Sequence, residues 1–176
     1  LEAVQKFNML ANLMQRRISG NEENLSLSYQ IKGMENGQLA ENMEIWYNEM
    51  LHGLNNEEIY RGVTCVGPHR DDIIVSVNGI NLKSFGSQGQ QRTAVLSMKL
   101  SELEFIRSET GEYPVLLLDD VMSELDAGRR QQLLNFIERE GIQTLITATD
   151  EAYFQQAPLK TYFQVEAGQV KVVNKV

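Results

Sequence analysis

The sequence predicts an α/β fold in which a parallel or mixed sheet is covered by helices and flanked by hairpins. The first observation is the apolar run "VLLLDD", which is followed by a helical pattern and then by a second apolar run, Thr144 to Ala148. Short continuous apolar runs are typical of strands buried on both faces, and the order strand, helix, strand favours a parallel pair. The second observation is the alternating run "IIVSVNGINLK", in which Asn78 and Gly79 predict a hairpin turn.

The first third of the chain has the pattern of a smaller α+β segment. Apolar residues recur at helical spacing from Val4 to Met14, and "SGN" at Ser19 supplies the stop. The stretch from Leu25 to Ile31 alternates apolar and polar residues, as a half-buried strand does. Helical spacing returns from Met43 to Leu51, and we expect this helix to end at Gly53.

After the hairpin, a loop rich in glycine and glutamine leads into a long helix. The loop "SFGSQGQQR" begins at Ser84, and apolar residues then keep helical spacing from Ala94 to about Ser108. The strand "VLLLDD", a helix and the second buried strand follow, and "FQVEAGQVKVV" predicts a closing hairpin. The helix between the two strands carries three arginines opposite its leucines, for which we expect a solvated face: Arg129, Arg130 and Arg139.

Composition and charge favour one globular cytoplasmic protein. The chain has 176 residues, of which 42% are hydrophobic, and its net charge of −8 argues against DNA or RNA binding without a local basic patch. The single cysteine, Cys65, cannot form an internal disulfide, which favours a reducing compartment. No apolar run reaches the roughly 18 residues that span a bilayer. Because the sequence opens at Leu1 in a helical pattern without a capping residue, we expect it to be part of a longer protein.

Two consecutive carboxylates close the first buried strand. Asp119 lies at the edge where α/β sheets bind ligands, and a carboxylate there can hold Mg²⁺. Asp120 follows at once and could polarise an attacking water. Acids also end core strands simply because the chain is leaving for solvent, so the strand alone leaves both interpretations open.

The order of the motifs resembles the carboxyl-terminal half of an ATP-binding-cassette (ABC) type ATPase head. Asp119 matches the Walker B magnesium ligand, and "SELD", from Ser123 to Asp126, matches the D-loop. The signature loop is matched by four residues, with glutamine where a second glycine is common: Ser87, Gln88, Gly89 and Gln90. Taken alone, the loop could be an ordinary surface turn before a helix cap. The Walker B and D-loop matches that follow it weaken that alternative.

Within that superfamily the chain resembles RecF, a bacterial repair ATPase related to SMC proteins. The resemblance rests on "RGVTCVGPHRDD", the hairpin and "FGSQGQQRTAVLSMKLSE", and it is dense from Arg61 to Asp150. It implies that residues 1–58 are part of an arm domain and that residues 59–176 are the carboxyl-terminal part of the ATPase head. Four residues are characteristic of the family without a chemical role that we can assign: His69, Arg70, Asp71 and Asp72. For the first two, a structural hydrogen-bond node is the favoured interpretation.

The resemblance implies an ATP-dependent homodimer in which two subunits enclose two nucleotides. The signature loop of one subunit would meet the γ-phosphate bound by the other, with Ser87 donating its hydroxyl and Gly89 allowing close approach. Asp119 would hold Mg²⁺ and Asp120 would orient water. Thr149 occupies the position of a switch histidine, and Asp120 is shorter than the usual glutamate, so we expect slow ATP hydrolysis.

The sequence contains no "GxxxxGK[ST]", so we expect this chain alone to bind no ATP tightly and to be inactive. The resemblance further implies DNA repair, recombination and replication and the SOS response, with binding to double-stranded or gapped DNA. The implied partners are mediators of the RecO and RecR type, and no association with a membrane is expected. Two alternatives stay open: a non-catalytic assembly module that completes an ATPase site in trans, and a different SMC-related ATPase or nuclease that uses Asp119 and Asp120.

Overall fold

The computed structural model describes residues 2–34, 43–154 and 161–173, and the outermost residues of both predicted domains, 1 and 174–176, lie outside this description. The helices are α1 (Glu2–Ile18), α2 (Met43–Arg61), α3 (Leu82–Phe85), α4 (Gln88–Thr110) and α5 (Ala127–Glu140). The strands are β1 (Leu25–Gln30), β2 (Asp72–Val77), β3 (Ile80–Asn81), β4 (Leu116–Asp119), β5 (Thr144–Thr147), β6 (Tyr162–Glu166) and β7 (Gln169–Val173).

The predicted crossover is confirmed. Strands β4 and β5 pair in parallel, with Asp119 beside Thr147 at their carboxyl ends, and α5 connects them. One face of β4 is buried through Leu116 and Leu118, whereas Leu117 on the other face is 69% exposed. The fold is therefore α/β, as predicted, but the prediction of strands buried on both faces is wrong here: among the described residues, no element covers the face that carries Leu117.

The predicted hairpins are confirmed as well. Strands β1, β2 and β3 form an antiparallel sheet, and the turn between β2 and β3 has positive φ at Asn78 and Gly79, 50° and 80°. Strand β3 is short because Asn81 already caps α3, where its Oδ1 accepts the backbone N–H of Lys83 at 2.9 Å. Strands β6 and β7 form the closing hairpin.

The first helix and strand share their cores with later elements. Met14 and Ile18 of α1 lie in the main core, which also contains residues of α4, β4 and α5. A smaller core joins Ala11 and Leu25 to Val77 and other residues near the start of α4. Elements on both sides of residue 58 thus pack together, and the division into an arm part and a head part stays a prediction.

Helix α2 differs from the prediction at its end. The sequence pattern placed the end at Gly53, but the helix continues to Arg61. A glycine inside a helix costs only about 1 kcal/mol relative to alanine, and the actual stop is Gly62, whose φ of +66° and bond from its N–H to the Glu58 carbonyl at 2.8 Å are typical of a helix cap. Helix α2 contains no buried residue. Within the described ranges, no helix has the length and apolar character needed to cross a membrane.

Candidate functional site

The predicted signature loop, Ser87 to Gln90, forms the cap and the first turn of α4. Ser87 is the exposed N-cap: its Oγ accepts the Gln90 N–H at 3.2 Å, and the Gln90 side chain accepts the Ser87 N–H at 3.1 Å. This reciprocal pair is a capping box, which fixes the turn by local bonds. The loop therefore presents a preformed helix start to solvent.

Packing within the chain requires glycine at only one of the two glycine positions in this region, Gly86 and Gly89. A Cβ on Gly86 would lie 2.7 Å from the Leu82 carbonyl oxygen, so the tight passage from α3 to α4 needs a glycine. A Cβ on Gly89 would have only the Arg129 Nη1 atom within reach, at 4.0 Å. Packing within the chain therefore does not require glycine at position 89.

The carboxylates at the end of β4 are organised by a residue that sequence reasoning missed. The Thr147 hydroxyl donates a hydrogen bond to Asp119 Oδ1 and accepts the Asp120 N–H at 3.0 Å. Because a hydroxyl has one proton, this arrangement orients one oxygen of Asp119 and leaves Oδ2 for another partner. The signal was available: Asp119 and Thr147 end two strands that pair in parallel. Thr149, singled out from the sequence, lies two residues beyond the end of β5.

Asp120 has a left-handed backbone conformation, with φ 49° and ψ 21°. Non-glycine residues adopt this region rarely, and aspartate is among those that tolerate it best. Its carbonyl accepts the Ser123 hydroxyl at 2.9 Å, and both side chains are exposed. The turn after β4 is thus held in one conformation with an outward carboxylate.

The D-loop, Ser123 to Asp126, ends as the cap of α5. Asp126 accepts the backbone N–H of Arg129 at 2.9 Å. Arg130 donates to the carbonyls of Met122 and Leu125, at 3.3 and 2.5 Å, and lies over the Tyr153 ring. These bonds tie the backbone of the D-loop to the first turn of α5.

The prediction of a solvated arginine face on α5 is therefore wrong for two of the three residues. Arg129 and Arg130 are half-buried and bonded, because the first turn of α5 lies against α4 and the D-loop. Arg139, near the other end of α5, is exposed and pairs with the adjacent Glu140, as the prediction requires. Helical periodicity identifies the apolar face but not what packs beside the polar one.

The segment "GPHRDD" forms a tight bend before β2. Gly67 has φ +141°, and a Cβ there would lie 2.9 Å from the ring of His69, so glycine is required. Arg70 Nε donates to the Thr64 carbonyl at 2.8 Å. Asp72 is exposed and lies 3.5 Å from the Lys83 ammonium. These contacts agree with a structural role for Arg70, and the chemical role of His69 stays open.

The hydrogen-bond node of this segment is Asp71. Its carboxylate accepts the hydroxyls of Tyr29, at 2.5 Å, and Tyr47, and the backbone N–H of Lys32 at 3.1 Å. Burial raises the pKa of Asp71, but these donors outweigh it and the net pKa lies below the usual range. Burial and the same carboxylate raise the pKa of both tyrosines. Asp71 thus anchors α2 to the sheet through Tyr47.

Replacing Tyr47 with phenylalanine should lower the free energy of unfolding by about 1.5–3 kcal/mol at neutral pH, the usual value of a hydrogen bond to a charged group. An aspartate with a lowered folded-state pKa contributes stability above its unfolded pKa of about 3.9 and loses it as pH falls through the folded pKa. The difference between the variant and the original chain should therefore shrink below about pH 4.

This prediction can be checked by urea unfolding followed through Trp46, the single tryptophan, whose ring lies 5.2 Å from that of Tyr47. The matched control is Tyr60→Phe on the same helix, because Tyr60 is 91% exposed. Equal effects of the two changes, or an effect of Tyr47→Phe that does not depend on pH, would contradict the anchor.

The residues present fit a magnesium ion held jointly with a nucleotide. Among the described residues, no group of three or more His, Cys, Asp or Glu side chains could hold a metal ion. Mg²⁺ in nucleotide sites is commonly held by one or two carboxylates together with phosphate oxygens. Asp119, with one oxygen oriented by Thr147, has the donor type that such a site needs.

Comparison with known proteins found RecF proteins over nearly the whole chain. The chain is 50% identical over 153 residues to the DNA replication and repair protein RecF of Halothermothrix orenii, covering 85% of this chain and 40% of that protein. It is 45% identical over 173 residues to RecF of Listeria monocytogenes serotype 4b, covering 96% of this chain and 46% of that protein. The chain thus spans slightly less than half the length of these relatives. No protein-family model matches it.

Solved structures agree with this result. A structure of the recombination mediator protein RecF with ATP, from the RecFOR pathway, has a TM-score of 0.73 and 34% identity over 98% of this chain and 45% of that one. An SMC ATPase, from a study of ATP-driven dimerisation and DNA-stimulated activation, has a TM-score of 0.57 at 12% identity over 98% of this chain and 84% of that one. The second likeness shows a shared ATPase-head fold only.

Proposed function

Because this chain belongs to the RecF family of DNA replication and repair proteins, we propose that it supplies the half of an ATP-dependent dimer interface that acts in trans. In this proposal its signature loop meets the nucleotide bound by a second subunit, and its Walker B carboxylates serve the nucleotide of its own subunit. The full-length protein then dimerises on ATP, binds DNA at single-strand gaps, assists recombinase loading and hydrolyses ATP slowly.

The observation that carries this proposal is the exposed first turn of α4. Ser87 faces solvent at a helix amino terminus, where backbone N–H groups and the helix dipole favour an anion. Gly89 meets no atom of the chain that would exclude a Cβ, so its lack of a side chain serves something that approaches from outside. A terminal phosphate presented by another subunit meets this description.

The second support is that the chain holds only some parts of an ATPase site. It contains no "GxxxxGK[ST]", the backbone nest and lysine that cradle phosphates. The open face of the β4–β5 sheet carries Leu117 and Leu145, which are 69% and 55% exposed. Apolar sheet faces of this kind are normally covered, and the remaining half of the protein is the covering segment that we propose.

Within this proposal, Asp119 contributes its free oxygen to the magnesium site, and the ion supplies charge neutralisation at the phosphates when bound. Asp120 orients the attacking water from its fixed left-handed backbone. Its side chain is one methylene shorter than glutamate, so proton acceptance is less direct and turnover is slow. Thr149 remains our candidate for a hydroxyl that contacts phosphate.

The proposed partners follow from the family. A structure of a RecF protein is described as belonging to the RecFOR pathway, and we extend RecO-like and RecR-like mediators to this chain as partners. DNA binding would need the rest of the protein or a local patch, because the net charge of this chain is −8. We place the protein in the cytoplasm.

The direct test is the mass of the full-length protein by light scattering with different nucleotides. A dimer with ATP analogue and Mg²⁺, and a monomer with ADP, is the expected result. A mass that does not respond to nucleotide would reject the trans role of the signature loop.

A further inference from the structure

We propose that Arg129 is a positioning residue that fixes the signature loop against the D-loop, so that closure on a nucleotide depends on it. This inference rests on the proposed function and adds to it a residue outside the motifs. Arg129 lies in the first turn of α5, and its guanidinium reaches the first turns of α4 and the segment after α1.

The contacts of Arg129 involve three separate parts of the chain. Nη1 donates to Thr93 Oγ1 at 2.6 Å and approaches the Gly89 carbonyl at 3.4 Å. Nη2 donates to Glu23 Oε1 at 3.0 Å, and Nε lies 3.4 Å from Asp126 Oδ2. One guanidinium therefore joins the signature loop, the D-loop and the turn between α1 and β1.

Because these bonds are partly buried, they should stabilise the arrangement more than a surface ion pair would. The Arg129 and Glu23 side chains are 21% and 11% exposed, and Thr93 is fully buried. Exposed ion pairs contribute little because water and salt screen them. A partly buried, charge-assisted network is screened less and has a fixed geometry.

The far end of the network is also held in place. The second oxygen of Glu23 accepts the side-chain amide of Gln15, which is fully buried in α1, at 2.6 Å. The Glu23 N–H is bonded to Ser19 Oγ at 3.1 Å. The Glu23 carboxylate is therefore fixed by α1, and it in turn fixes the position of the Arg129 guanidinium.

The link to the signature loop passes through Thr93. Its hydroxyl accepts from Arg129 and donates to the Gly89 carbonyl at 2.8 Å, four residues earlier in α4. The Gly89 carbonyl thus accepts from the Thr93 hydroxyl and from Arg129 Nη1. These bonds fix the backbone of the signature loop on the side opposite the proposed phosphate. A lysine at position 129 would keep the charge but lacks the planar fork that reaches several acceptors.

A second pair joins α4 to the D-loop at the surface. Arg92 of α4 lies 3.5 Å from Glu124 of the D-loop, but their side chains are 41% and 44% exposed. This pair is screened and contributes less to the arrangement. We therefore assign the coupling to Arg129 and not to Arg92.

The test compares nucleotide binding with dimerisation in the full-length protein. Arg129→Lys and Thr93→Val should each raise the dimer dissociation constant about tenfold or more, equivalent to about 1.4 kcal/mol. The affinity of the monomer for a fluorescent ATP analogue should change less than twofold. Thr93→Ser keeps the hydroxyl and should restore dimerisation. Arg139→Lys, an exposed arginine on the same helix, is the matched control and should dimerise normally.

The double variant Arg129→Lys with Thr93→Val should weaken dimerisation by less than the sum of the two single effects, because both changes remove the bond between Arg129 and Thr93. Independent, additive effects would overturn the link. Normal dimerisation of both single variants would also overturn it. The same holds if Thr93→Ser loses dimerisation as much as Thr93→Val does, or if the variants lose ATP affinity in parallel with dimerisation. Ser87→Arg is measured alongside. If Ser87→Arg dimerises normally, the proposed function fails. If Ser87→Arg does not dimerise but Arg129→Lys and Thr93→Val dimerise normally, only this inference is rejected.

Discussion

Replacing Ser87 with arginine in the full-length protein is expected to abolish ATP-dependent dimerisation while ATP binding by each subunit stays intact. The side chain at position 87 is exposed at the first turn of α4 and, in our proposal, donates to a phosphate held by the other subunit. Arginine removes that donor and places a long side chain where the two subunits must meet. The dimer dissociation constant should rise at least a hundredfold, measured by sedimentation with a slowly hydrolysed ATP analogue.

The change also removes the N-cap of α4, which costs about 1 kcal/mol of stability. Ser87→Ala removes both the cap and the hydroxyl donor without adding bulk, so it should weaken dimerisation less than Ser87→Arg, and the difference between the two variants measures the steric effect of the arginine. Ser84→Arg adds the same side chain to an exposed position three residues earlier and should dimerise normally. A dimer in Ser87→Arg as tight as in the original protein would remove the signature loop from the interface.

The parts of the fold with a strong local signal could be predicted from the sequence. Asn78 and Gly79 predict their turn because positive φ is a property of the residues themselves. The parallel pair of β4 and β5 is predicted because two apolar runs are separated by a helical pattern. The capping box of Ser87 and Gln90 obeys a local rule of the same kind.

Features that depend on distant contacts could not be predicted. The burial of Arg129 follows from α5 meeting α4 and the turn after α1, segments separated by 36 and 106 residues. The role of Thr147 depends on the register of two strands, since a shift by one residue would turn the hydroxyl to the other face. The end of α2 is a different case: the cap at Gly62 is local, and the prediction failed because Gly53 was taken as the stop although a helix tolerates an internal glycine.

Replacing Asp119 with asparagine is expected to reduce magnesium-dependent ATP hydrolysis by the full-length protein by about a hundredfold or more, since a metal ion contributes several kcal/mol to phosphoryl transfer. Asparagine is nearly the same size and can still accept the hydrogen bond from Thr147, so the change removes the charge and leaves the fold in place. The measurement is phosphate release at saturating ATP over a range of Mg²⁺ concentrations. Glu112→Gln, at an exposed carboxylate between α4 and β4, is the matched control and should leave turnover unchanged.

The same assay separates the roles of Thr147 and Thr149. Thr147→Val removes the hydroxyl that orients Asp119 and leaves the Asp120 N–H without its acceptor, so it should lower turnover about tenfold and raise the Mg²⁺ concentration needed for half-maximal activity. In our proposal Thr149 contacts phosphate and not the metal ligand, so Thr149→Val should lower turnover without changing the Mg²⁺ dependence. Unchanged hydrolysis in Asp119→Asn would reject the metal assignment. If Asp119→Asn abolishes hydrolysis but Thr147→Val has the Mg²⁺ dependence of the original protein, Asp119 is a ligand that needs no support from β5.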